Sequence, residues 1–136
     1  MSAIHPTEKE GAIASVCNRF CHDSPVNDPS AYDDLDDATK AALAEFCAEV
    51  LCTAATIDRS RHVTSYRLKH FYEIWQRDRI NNGESTGHSY VVNGAFKGAM
   101  MAAGYKPCGD DVNMQRINWR FHCRVKKQYR WLYRWF

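Results

Sequence analysis

No stretch of this chain approaches the roughly 20 apolar residues that cross a bilayer, and Met1 to Lys9 has neither the basic start nor the apolar core of a signal peptide. The expectation is a cytoplasmic protein with no membrane partner. Also missing are an internal repeat, a low-complexity tract, a nucleophile elbow, a glycine-rich phosphate cradle and a paired-carboxylate metal pattern. Their absence removes the strong catalytic signatures and points to a protein that is not an enzyme and carries no cofactor. None of the six cysteines sits in the tight two-residue spacing of a zinc knuckle or ribbon. In a reducing cytosol they are read as thiols rather than disulfides.

What is present is ample apolar material. With 136 residues, 45% hydrophobic and 12% aromatic, the chain has enough to build the core of one domain without staples, and wholesale disorder is excluded. Its charges are sorted by position. Residues 1–58 carry 3 Lys/Arg against 11 Asp/Glu, and residues 59–136 carry 15 against 5, so a total of +2 conceals an acidic and a basic half. Such asymmetry bears on partners, because a field of one sign over one surface steers a polyanion or a basic partner toward it.

Thr7 and Glu10 form a capping-box pattern ahead of Ile13, Val16, Cys17, Phe20 and Cys21, which predicts a first helix to about His22. Pro25 and Pro29 mark a loop. Asp33, Asp34, Asp36 and Asp37 then crowd the start of a second helix, where carboxylates favour the positive end of the dipole. Ala42, Leu43, Phe46, Cys47, Val50 and Leu51 supply its buried stripe, to about Thr56.

A third helix is expected from a Thr64 or Ser65 cap through Leu68, Phe71, Tyr72 and Trp75 to about Arg79. Asn81 to Ser89 has no hydrophobic period and reads as the most mobile stretch. Asn93 is the expected cap of a compact fourth helix, Gly94 to Ala103, closed by Gly104. Its small residues let a neighbouring element approach closely. Ile117, Trp119, Phe121, Cys123 and Val125 alternate with Arg116, Asn118, Arg120, His122 and Arg124, the period of a half-buried strand with a basic outer face. Val112 to Met114 is a candidate partner strand or turn. The tail, Lys126 to Phe136, interleaves aromatics with cations and fits either an edge strand or a short helix.

Helix, loop, compact helix and basic strand follow the order of a winged helix-turn-helix, with Arg67, Lys69, Lys97, Lys106, Arg116, Arg120 and Arg124 as exposed cations. Lys97 is the only long polar side chain on the would-be recognition helix, which makes that helix a poor reader of bases. The tail invites comparison with single-strand binding, in which bases stack on aromatics and cations follow phosphates. Its aromatics equally suit sealing of the core or a homodimer interface. Cys17, Cys21 and His22 with Cys47 and Cys52 are conceivable zinc ligands, although inward cysteines usually act as small hydrophobes. His62, His70, His88 and His122 are the candidate acids or bases, with Glu73 one turn from His70.

Ser65-Tyr66-Arg67-Leu68-Lys69-His70, Tyr90 through Met100 and Ala103-Gly104-Tyr105 together resemble a pattern in small proteins of phages and mobile elements. They also look like the winged-helix tail of viral and phage primase-helicases, where a Phe-containing helix ends in Leu-Gly-Tyr or a similar triplet. The resemblance covers about 40 of the 136 residues. It implies a bacterial-host setting and small proteins that regulate DNA or disable host defence. An anti-CRISPR-like inhibitor of this kind presents carboxylates where phosphates would sit.

The expected fold is α+β: one domain, with an acidic helical hairpin (1–58) packed on a basic winged-helix-like half (59–136) holding a small antiparallel sheet. The expected function is stoichiometric docking on a host protein or nucleoprotein complex through a charged face. On the acidic side that face is Asp33, Asp34, Asp36, Asp37, Glu45 and Glu49. Alternatively, Lys97, Arg116, Arg120, Arg124, Lys126, Lys127 and Arg130 contact a partner or the phosphates of DNA.

Overall fold

The computed structural model describes residues 24–58 and 63–135, so the predicted first helix, with Cys17, Cys21 and His22, lies outside the described residues, as does His62. Each proline of the loop starts a 3-10 turn, because its fixed φ suits a first helical position. The turns span Pro25–Asn27 and Pro29–Asp34, capped by the side chains of Ser24 and Asp28. Asp36 then caps helix α1 (Asp37–Glu49) by accepting from the Thr39 amide at 2.8 Å. The acidic cluster is thus divided: Asp33 and Asp34 end a 3-10 turn, Asp36 is a cap, and Asp37 alone lies in the first α-turn.

Ala42, Leu43, Phe46 and Cys47 face inward as their spacing demands. The helix stops at Glu49 rather than near Thr56. Leu51–Thr53 forms strand β1 and pairs antiparallel with β2, Cys123–Val125, in the register Leu51 to Val125, Cys52 to Arg124 and Thr53 to Cys123. Val112 to Met114 therefore does not supply the partner strand.

Helix α2 (Ser65–Asn81) begins where expected, with Thr64 Oγ1 accepting from the Arg67 amide at 3.2 Å. The stretch after it is stitched down rather than loose. Tyr72 donates to the His88 carbonyl at 2.6 Å, the buried Gln76 amide donates to Ser85 Oγ and the Gly87 carbonyl, and the His88 amide donates to Thr39 Oγ1.

Helix α3 (Asn93–Ala102) is followed by Gly104 at φ +91°, a left-handed position that favours glycine. Val92 is the N-cap and makes no side-chain cap bond; Asn93 instead donates to Asn27 Oδ1 and the Ile117 carbonyl. Gly94 to Met100 are all buried. The two 3-10 turns cover this helix, and a Cβ on Gly98 would collide with the Pro29 carbonyl and the Tyr32 side chain. Close approach is the service the small residues provide. Phe46, Tyr72 and Phe96 meet at centroid separations of 5.5 to 6.5 Å and tie α1, α2 and α3 into one core.

A short helix α4 (Gly109–Asn113) precedes the basic stretch. Only Cys123–Val125 of that stretch is strand; Arg120 and Phe121 form isolated bridges to Thr64 and Pro107. Lys127–Trp135 is a 3-10 helix. The architecture is α+β, helices around a two-stranded antiparallel sheet, and no helix among the described residues is long and apolar enough to cross a membrane.

Candidate nucleic-acid interface

The terminal 3-10 helix repeats every three residues, which divides its side chains into stripes. Leu132 is buried, Tyr129 is half-buried, and Tyr133 lies 5.6 Å, ring to ring, from Phe71 on α2. Gln128, Trp131 and Arg134 form a stripe that is exposed throughout, and Lys127 and Arg130, upstream of Tyr133 on its stripe, are exposed as well.

Glu49 anchors this tail. Its carboxylate accepts from the Tyr129 hydroxyl at 2.6 Å and from Trp75 Nε1 at 3.0 Å. Those two hydrogen bonds hold the Glu49 carboxyl below its usual range despite some desolvation. Lys126 adds a clip, its ammonium 2.8 Å from the Ala48 carbonyl and its amide 2.8 Å from that of Val50. Immediately upstream, Arg124 projects from the outer face of β2 beside an open hollow of about 390 Å³ lined by Thr53, Ala54, Ala55, Thr56 and Asp58. An adjacent hollow of about 300 Å³ is edged by Lys106 and His122, the latter with Nδ1 3.1 Å from the Ala55 carbonyl.

Several cations expected at a binding face are committed to the fold. Lys97 is 1% exposed, donates to the Asn27 carbonyl at 3.0 Å and sits 4.2 Å from the Trp119 ring centroid. Burial draws its ammonium down to about 8, with the Asp28 charge acting in the opposite direction. It cannot reach a phosphate, and α3 has no exposed long polar side chain to enter a groove. Lys69 and Arg67 are buried too, Lys69 in an ion pair with Glu73 at 2.9 Å. Arg120 makes a two-pronged pair with the buried Asp111 at 3.0 Å to each oxygen, and Arg116 adds a third contact at 3.3 Å. Burial opposes the ionised Asp111, but the Arg120 hydrogen bonds and the charges of Arg120 and Arg116 outweigh it and hold the carboxyl low. Arg124, Lys127 and Arg130 are exposed, and among the described residues none is paired with a carboxylate.

The acidic face is half consumed as well. Glu45 pairs with Arg79 at 2.8 Å, Glu49 holds the tail, and Asp36 caps α1 with His88 at 3.5 Å. Asp33, Asp34 and Asp37 remain exposed.

His70 Nδ1 donates to the Glu73 carboxylate at 3.1 Å, packs edge-on against Tyr66 and shares that carboxylate with Lys69. Desolvation lowers the pKa of His70 more than the charge of Glu73 raises it. This is a knot of ion pairs on the surface of α2. Cys47 donates weakly to Met100 Sδ at 3.7 Å, and burial pushes both its thiol and that of Cys123 up to about 12. Among the described residues no three His, Cys, Asp or Glu side chains converge as metal ligands would.

Sequence reasoning overlooked Asp111, the carboxylate that pairs with two expected contact residues. Arg134, one of the tail cations that alternate with aromatics in the sequence, extends the exposed strip. No family model, curated protein or solved structure matches the chain.

Proposed function

We propose that this protein is a non-enzymatic binding module that engages the phosphate backbone of nucleic acid through the strip Arg124, Lys127, Arg130 and Arg134. One observation carries the reading: with Lys69 and Lys97 buried and Arg116 and Arg120 paired with Asp111, four of the exposed cations left without a carboxylate among the described residues follow one another along β2 and the tail helix, while Arg77 and Lys106 lie elsewhere. Side chains of this kind neutralise phosphates and release counterions, so affinity falls with salt at a slope of about −0.7 to −0.9 per phosphate contacted. Four contacts give a slope of about −3 to −4.

The test is a titration of labelled DNA with purified protein at about 50 to 300 mM salt. Affinity should drop by roughly 150- to 600-fold across that range, and Arg124→Glu with Lys127→Glu and Arg130→Glu should abolish binding. A second reading, stoichiometric docking on a host nucleoprotein as in an anti-defence inhibitor, draws on the exposure of Asp33, Asp34 and Asp37. That reading gains if reversing the three aspartates to lysine eliminates capture of such a complex while the protein ignores DNA at the lowest salt.

A further inference from the structure

We infer that the ligand of the basic strip is single-stranded nucleic acid, with the exposed indole of Trp131 as the platform on which a base stacks; this rests on the phosphate-binding reading above. Tyr129, Leu132 and Tyr133 pack against the core beneath the tail helix, and Trp131 keeps 39% of its surface exposed.

The faces of the other two tryptophans whose side chains the structure describes are covered by cations. Arg79 lies 4.5 Å from the Trp75 ring centroid and Lys97 4.2 Å from that of Trp119. Among the described residues neither a cation nor a ring sits on Trp131. Along the helix Arg130 adjoins it, Arg134 follows one turn on and Lys127 lies four residues back, all exposed.

At a rise of about 2.0 Å per residue, Lys127 to Arg134 spans about 14 Å, the length of about four nucleotides at the ~3.4 Å spacing of a stacked strand. A π-face amid cations is what an unpaired base and its phosphates require, whereas a duplex keeps its bases stacked and offers the indole nothing. An anionic membrane would also attract the cations. Insertion, however, needs several apolar residues on the exposed face, and among the described side chains of this helix Trp131 is the one exposed apolar residue beside Lys127, Gln128, Arg130 and Arg134.

The experiment compares a labelled single strand of about 12 nucleotides with a duplex of equal length, at about 50 mM salt, for the wild type, Trp131→Ala, Trp131→Phe and the Arg124→Glu, Lys127→Glu, Arg130→Glu triple variant. Thermal melting confirms that each is folded. The expected result is a single-strand preference of about 10-fold, lost in Trp131→Ala with duplex affinity unchanged, largely kept in Trp131→Phe, and loss of both ligands in the triple variant. If both DNAs bind and Trp131→Ala alters neither, stacking is overturned while the phosphate reading survives. Binding to neither overturns both readings, and so does tight binding to phosphatidylserine vesicles by a protein that ignores DNA.

Discussion

The ammonium of Lys97 lies 3.0 Å from the carbonyl oxygen of Asn27, fastening the buried helix α3 to the 3-10 turns that cover it. The carboxamide of Asn93 reaches Asn27 Oδ1 from the same helix at 3.1 Å, so one asparagine receives two clasps.

Lys97 makes stability depend on pH in an uncommon direction. Its pKa falls from 10.5 to about 8 on folding, so between those values the unfolded chain holds a proton that the folded chain has released. The cost of burying the ammonium is fully felt below about pH 8 and is relieved as pH rises toward 10.5. Relative to Lys97→Met, the wild type should gain on the order of 2 to 3 kcal/mol between pH ~7 and ~10. Urea unfolding of both proteins at several pH values measures this, and a constant difference would mean that the lysine titrates normally.

Gly98→Ala should destabilise the protein by about 1 to 2 kcal/mol although alanine is the better helix former. The new methyl has no room beside Pro29 and Tyr32. A rise in melting temperature would show that the 3-10 turns yield readily.

Asp111→Asn should cost about 2 to 3 kcal/mol, because Arg120 loses a two-pronged charged partner and its own amide loses a charged acceptor at 2.8 Å. The carboxyl is held low in the folded state, so its contribution is complete above its ordinary value of 3.8 and disappears as pH falls through the lowered folded value. The variant should therefore show a flatter acid limb in chemical unfolding. DNA affinity should hold or increase, since Arg116 and Arg120 are released.

Alkylation at about pH 8 should label Cys52, which is half-buried, well before Cys47 and Cys123. At pKa values of about 12, about one in ten thousand of the latter thiols is ionised at that pH, and both are buried. Peptide mass mapping with and without denaturant reads the order, and rapid native labelling of Cys47 would show that the core opens.

Glu49→Gln should loosen the tail helix, because two donors lose a charged acceptor. Hydrogen exchange across Lys127 to Arg134 should accelerate, and DNA affinity should fall a few-fold as the strip loses its shape, about 1 kcal/mol by the worth of such bonds. Exchange unchanged from the wild type would place the anchor elsewhere.

Helices α2 and α3, their inward faces and the Gly104 stop are determined by the sequence alone, because caps, periodicity and left-handed glycine act over one or two turns. The inward alternation of Phe121, Cys123 and Val125 belongs to the same class. The sign of each half's charge is equally local. Availability of those charges is not: Lys97 meets a carbonyl 70 residues away, Arg120 finds Asp111, and Glu49 is taken by the tail. The end of α1 also needed a distant partner, since Leu51–Thr53 is a strand only because Cys123–Val125 lies beside it. An alternating tail became a 3-10 helix when Leu132 and Tyr133 settled against the core. Composition states how many cations the chain has; burial and pairing between segments far apart in sequence decided which of them face the solvent.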